Sequence, residues 1–241
     1  MRKFGGLFAK NLVICGDFTI FARFLIFRQM NKNEKFVITI NRELGSGGRT
    51  IGSKLAEKLG VEFFDKAVIK GLQEKFHLSV NDIEKLKGAK QNWWTELKRQ
   101  LIIGPGSANY YIPRDDDDDV QPLDTDTVFK VETEILKSIA AEESCVVAGR
   151  SGFFVLRDCP NRLSIFIRAS MPFRLARVMR KQHVTEDEAR KIIERVDTMR
   201  ENYVKKYAKT SRYDTRNYDL VISVDGKTED EIVDMILKYI G

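Results

Sequence analysis

The chain carries little from which a disulfide framework or a metal site could be built. Its three cysteines, Cys15, Cys145 and Cys159, are odd in number and lack metal-ligand spacing; its two histidines, His77 and His183, stand isolated. Such thiols exclude a disulfide-stapled secreted domain and point to a reducing, cytoplasmic setting, with Cys145 a buried free thiol inside an apolar run. No apolar stretch approaches the roughly 20 residues a bilayer crossing needs, because Asp17 and Arg23 interrupt the segments Leu12–Cys15 and Phe18–Phe27. The same region lacks the unbroken apolar core and cleavage site of a secretory signal. Residues 1–35 are therefore expected to be an N-terminal extension, flexible or a mis-assigned start, with Met30 as the alternative first residue. Charge of one sign is also scarce: 41 Lys and Arg stand against 35 Asp and Glu, a net charge of +6. That excess suits an anionic small molecule and falls short of the concentrated basic face that nucleic-acid binding requires.

What is present is the pattern of one α/β core. With 241 residues, 43% of them hydrophobic, the chain supports one substantial core and a small inserted subdomain. Apolar runs at 36–41, 61–64, 145–148, 163–168 and 219–224 read as strands. Most are continuous rather than alternating, which predicts a sheet covered on both faces. Helical stripes lie between them. Val128, Val131, Ile135, Leu136 and Ile139 form one; Thr185-x-x-Glu188 and Thr228-x-x-Glu231 are capping-box patterns that open two more. Alternating strand and helix predicts parallel pairing with right-handed crossovers. Residues 70–125 break the rhythm with a helix pair, Gly104-Pro105-Gly106, the acidic run Asp115–Asp119 and the adjacent Trp93 and Trp94.

The segment FVITINRELGSGGRTIG, residues 36–52, is the most informative. A strand feeds a glycine-rich turn that runs into a helix, the arrangement that presents backbone N–H groups and a helix N-terminus to a phosphate. Gly45, Gly47 and Gly48 permit positive φ and close approach to an anion. Ser46 or Thr50 offers a hydroxyl to a phosphate oxygen or to Mg²⁺, and Arg42 and Arg49 offer positive charge. Arg150 follows a strand, at the carboxyl edge where open α/β sheets bind ligands. Arg174, Arg177 and Arg180 recur every three residues, and Arg195 and Arg200 flank Asp197 on the long helix. All of these arginines have an ion-pair reading beside the phosphate one; Glu186, Asp187, Glu194 and Glu201 are the nearest acidic partners in sequence. Asp65 has a helix N-cap reading for the segment beginning at Lys66.

Five segments in order, GSGGRTIGSKLAEKLGVEFFDKAVI, VVAGRSG, FIRASMPFRLARVMR, ERVDTMRENY and NYDLVISVD, resemble the nucleoside monophosphate kinases and their cytidylate kinase group. RELGSGG with GRSGFFVLRD is most similar to the cytidylate kinase-like family. The resemblance covers about residues 36–240. It implies a P-loop fold in 36–241, with five parallel strands, a helical monophosphate-binding insert at 70–125 and a lid at 181–215. It implies ATP with Mg²⁺, transfer of the γ-phosphoryl group to a CMP- or dCMP-like acceptor, nucleotides as partners, and no nucleic acid or membrane. The implied site comprises Gly45, Ser46, Gly47, Gly48, Arg49 and Thr50 for ATP, with Thr50 on the metal. Arg42, Asp65, Arg150 and Asp197 face the acceptor, and Arg49, Arg150, Arg195 and Arg200 are catalytic.

Three departures bear on activity. Gly48 stands where G-x-x-x-x-G-K-[ST] places lysine, and Arg42 stands at its first glycine. Ala148 and Ser151 occupy positions where the resemblance implies aspartates. Arg49 or Arg42 is expected to replace the lysine. The competing expectation is a nucleotide- or phosphate-binding protein without turnover.

Overall fold

The computed structural model describes residues 30–66, 69 and 125–241. Residues 1–29, Trp93, Trp94, His77 and Asp115–Asp119, with nearly all of the expected insert, lie outside the described residues. Five strands form one parallel sheet: β1 (Val37–Arg42), β2 (Glu62–Phe64), β3 (Cys145–Ala148), β4 (Arg162–Arg168) and β5 (Leu220–Ser223). Their order is β2-β3-β1-β4-β5, so the strand that feeds the glycine loop lies at the centre. The described helices are α1 (Gly48–Leu59), α2 (Thr125–Glu142), the short α3 (Gly152–Val155), α4 (Met171–Gln182), α5 (Glu186–Ala208) and α6 (Glu229–Ile240).

The inner strands β1, β3 and β4 bury both faces, as their uninterrupted apolar runs require, whereas the edge strand β5 leaves Val221 exposed. Ile38, Ile40, Ile165 and Ile167 pack with Leu55 of α1 and Ile232 and Ile236 of α6 on one side, in a core that also takes in Met30. Val37, Cys145 and Val147 pack with Val131, Ile135 and Ile139 of α2 on the other. Burial pushes the Cys145 thiol far above its ordinary value, so it stays protonated and unreactive. A third apolar cluster joins Leu44, in the loop after β1, to Leu175 and Val178 of α4 and Ile193 and Val196 of α5. That cluster fixes the two helices against the loop. Among the described residues, no helix is long and apolar enough to cross a membrane.

Both capping boxes form. Thr185 and Thr228 accept from the backbone N–H of Glu188 and Glu231, whose carboxylates accept from the threonine N–H groups at 2.9 and 2.7 Å. Hydrogen bonds from the cap backbone and then the cap hydroxyl hold both carboxyls below the ordinary glutamate value. Thr185→Ala and Thr228→Ala should each cost about 1 kcal/mol in urea unfolding. The depressed carboxyls add a pH signature. Their contribution is complete above the ordinary value and is lost as pH falls through the folded one. The melting temperature should therefore drop between about pH 5 and about pH 3, and less steeply in the double threonine variant than in wild type.

Candidate active site

The loop from Arg42 to Gly48 turns sharply and enters α1 with no side-chain cap. Gly45 and Gly47 have φ of +81° and +79°, left-handed values that glycine adopts without strain. The approach is also close. A Cβ on Gly45 would lie 2.9 Å from the Arg174 carbonyl oxygen, and one on Gly47 would lie 3.2 Å from Cζ of Arg177. The first-turn N–H groups of α1 have no intrahelical partner by construction. They sit in an open cleft lined by Gly47, Gly48 and Thr50 together with Arg42, Arg49, Arg177, Lys181 and Arg200. The cleft brings the glycine loop and five cations onto one surface, where a polyphosphate would meet both fixed dipoles and guanidinium forks.

Beneath the cleft, ion pairs anchor the loop. Asp197 of α5 accepts the Leu44 N–H at 3.1 Å and binds the Arg174 guanidinium and Nη1 of Arg212, the latter at 3.4 Å. Arg174 Nε donates to the Leu44 carbonyl at 2.7 Å, and Arg212 Nη2 donates to the Arg42 carbonyl. Glu43 reaches the other way: Oε2 accepts the Ala169 N–H at 3.0 Å, and Oε1 lies 3.5 Å from Arg174 Nη1. The Arg212 side chain is 0% exposed. Burial pushes its guanidinium below the ordinary arginine value, Asp197 opposes that fall, and Arg200 adds to it.

The expected site residues divide by place. Gly45, Gly47, Gly48, Arg49, Thr50, Arg42 and Arg200 line the cleft. Ser46 does not offer its hydroxyl there: Oγ donates to the Glu43 carbonyl at 2.8 Å in a buried turn. Asp197 spends its carboxylate on the loop and the two arginines just described. Asp65 follows β2 and takes Arg49 Nε at 2.5 Å; its carbonyl accepts the Ile69 N–H at 3.0 Å, so it also opens the following helical turn. Arg150 leaves β3 in a left-handed conformation (φ 53°), pairs with Glu132 of α2 and lies over the Tyr203 ring at 5.5 Å. Arg195 and Arg180 are exposed and do not line the cleft. Arg177 bridges Glu229, at 2.8 Å, and Thr50 Oγ1, at 3.4 Å.

A guanidinium so close to Thr50 makes its hydroxyl a poor metal ligand. No group of three or more His, Cys, Asp or Glu among the described residues could hold a metal ion. The family implies Mg²⁺ with ATP, an ion held largely by the nucleotide's phosphates and by water, so the lack of a protein cage among the described residues does not bear against it. Sequence reading missed Glu43, Glu132 and Arg212. Glu132 left a trace, a charge within the apolar stripe of α2. Arg212 left none, since it lies in the irregular segment after α5.

Removing one member of a buried pair strands its partner. Asp197→Ala should destabilise the protein by about 3–5 kcal/mol in urea unfolding. Asp197→Asn, which keeps an acceptor for the Leu44 N–H, should lose less.

Comparison with known proteins agrees with this geometry. A curated cytidylate kinase from Sulfolobus acidocaldarius is 28% identical over 113 residues, covering 46% of this chain and 61% of that protein, so the aligned part spans about three fifths of the relative. A shikimate kinase from Aeromonas salmonicida is 24% identical over 217 residues, covering 86% and 98%. A solved structure of a protein from Eubacterium ventriosum superposes with a TM-score of 0.60 at 26% identity, covering 86% of this chain and 98% of that one. The fold is that of the P-loop kinases: a five-stranded parallel sheet flanked by helices, with the glycine loop after its central strand. The model of the cytidylate kinase-like family matches residues 37–226, most of the 241 in the sequence, and the chain belongs to that family.

Proposed function

We propose that the protein is an ATP-dependent phosphotransferase whose acceptor is a nucleoside monophosphate of the CMP or dCMP type. The observation that carries this reading is the cleft itself, with Arg42, Arg49, Arg177, Lys181 and Arg200 around a glycine loop that opens α1. Phosphoryl transfer requires little covalent chemistry from the protein. The bond from the γ-phosphorus to its bridging oxygen breaks and the electron pair leaves on ADP, while an acceptor oxygen forms the new bond. The protein's task is to align donor and acceptor and to neutralise charge on the phosphate oxygens. The glycine loop and α1 would hold the donor phosphates, and the cations across the cleft would meet the charge on the transferred group. Arg49, and Asp65 just after β2, would bound the acceptor side.

A second acceptor class has one observation behind it: the shikimate kinase relative aligns over 86% of this chain, against 46% for the cytidylate kinase. A hydroxyl acceptor would release its proton on transfer. Binding without turnover is the alternative function, and the departures at Gly48, Ala148 and Ser151 favour it.

A phosphotransfer panel separates these readings: ATP and Mg²⁺ with CMP, dCMP, UMP, AMP, GMP or shikimate, with ADP formation followed. Turnover should appear with at least one pyrimidine monophosphate. Turnover with shikimate alone would reassign the acceptor. Thermal stabilisation by ATP with no turnover across the panel would leave binding as the function.

A further inference from the structure

Two departures within the glycine loop account for each other. The P-loop pattern places glycine first and lysine seventh; here arginine is first, at 42, and glycine is seventh, at 48. A Cβ built on Gly48 would lie 2.6 Å from Arg42 Cβ and 2.9 Å from its Cγ. The bare backbone of residue 48 is thus the floor beneath the arginine stem. A lysine at 48 and an arginine at 42 would claim the same space.

The far end of the side chain repeats the arrangement. A Cβ on Gly149 would collide with Nη1 of Arg42 and lie 3.3 Å from its Cζ. Gly149 follows β3, and its N–H donates to the Ile40 carbonyl of β1 at 2.9 Å. The guanidinium therefore crosses from the loop after β1 to the loop after β3, along the carboxyl edge of the two central strands. Two glycines from distant parts of the sequence clear its path, and Arg42 still lines the cleft.

Arg49, Arg177, Lys181 and Arg200 share the cleft, and Arg42 is set apart from them by its place in the loop pattern and by the two glycines that make room for it. We propose that Arg42 is the cation that meets the terminal phosphate of the nucleotide, arginine and glycine having exchanged the places that glycine and lysine hold in the usual loop. The proposal rests on the ATP-dependent reading above and names the residue that reading left open. A guanidinium can grip two phosphate oxygens where an ammonium presents a point charge.

The full-length chain tests this with Arg42→Gln, Arg42→Lys, Arg42→Gly, Arg49→Gln, Gly48→Lys and the double variant R42G/G48K. Arg42→Gln keeps much of the stem over Gly48 and removes the charge. It should lower kcat by about 10²–10³-fold, the scale for losing one preorganised charge-stabilising donor. Arg42→Lys should restore part of that loss, and Arg49→Gln should cost less than Arg42→Gln. Gly48→Lys alone should be as damaging as Arg42→Gln, because the two stems collide. The double variant should exceed R42G and G48K by about tenfold or more, having rebuilt the usual loop.

Thermal stabilisation by Mg-ATP and by Mg-ADP is measured on the same set, with circular dichroism confirming that each variant is folded. Should Arg42→Gln fail to fold, the comparison of R42G/G48K with its single variants decides. A wild type without turnover, but stabilised more by ATP than by ADP in a manner that Arg42→Gln abolishes and Arg49→Gln preserves, would uphold the proposal and refute phosphotransfer. Turnover that survives Arg42→Gln, or falls further with Arg49→Gln, would overturn Arg42 and leave phosphotransfer standing. A double variant no better than R42G would also overturn it. Stabilisation by neither nucleotide would overturn both.

Discussion

The carboxylate of Asp197 is the constraint on which the site depends. One buried anion accepts a loop N–H and holds two buried arginines, and each arginine returns a donor to a loop carbonyl, Leu44 for Arg174 and Arg42 for Arg212. Residues 42–44 are thus pinned through their backbone from α4, α5 and the segment after α5. A loop pinned from below can leave its upper face to a ligand. Desolvating two guanidinium groups is costly, and it is sustained because two carboxylates, Asp197 and Glu43, and two loop carbonyls receive them. The apolar cluster around Leu44 adds shape to that electrostatic hold.

Above the pins, positive charge is partly matched. Arg49 has Asp65, Arg177 has Glu229, and Arg150, one strand away, has Glu132. A polyanion entering the cleft competes with these carboxylates for the same forks, so binding is an exchange of partners rather than the filling of bare charge. Such exchange favours ligands with several anionic oxygens, because each guanidinium that gives up its carboxylate takes an oxygen in return. Burial, not distance, separates arginines held deep in the fold, such as Arg174 and Arg212, from those that meet an acid nearer the surface, such as Arg49.

Much of the fold was legible because its signals are local. The five strands are short apolar runs, and the openings of α5 and α6 are written in four-residue capping boxes. The glycine loop was legible for the same reason: its turn, its glycines and the helix that follows lie within fifteen residues or so. The roles of Asp197 and Arg150 were not, because each is settled by a partner far away in sequence; nor was that of Ser46, whose hydroxyl turns back to the Glu43 carbonyl within the loop. Asp197 meets Leu44 and Arg212; Arg150 meets Glu132. Both Arg195 and Arg200 were expected in the site from their places beside Asp197, yet the turn of α5 carries Arg200 to the cleft and leaves Arg195 in solvent.

The central position of β1 has a consequence for how the protein is made. Its neighbours are β3 and β4, and Val37 pairs with Cys145 and Arg162. During synthesis at about 5–20 residues per second, roughly 5–20 s pass between the emergence of β1 and that of its first partner. Throughout that interval an apolar strand, Val37 to Ile40, has both edges unpaired. Parallel pairing over such separations is slow and exposed to aggregation. The strand that centres the finished sheet is thus the one that waits longest for its partners before the sheet exists.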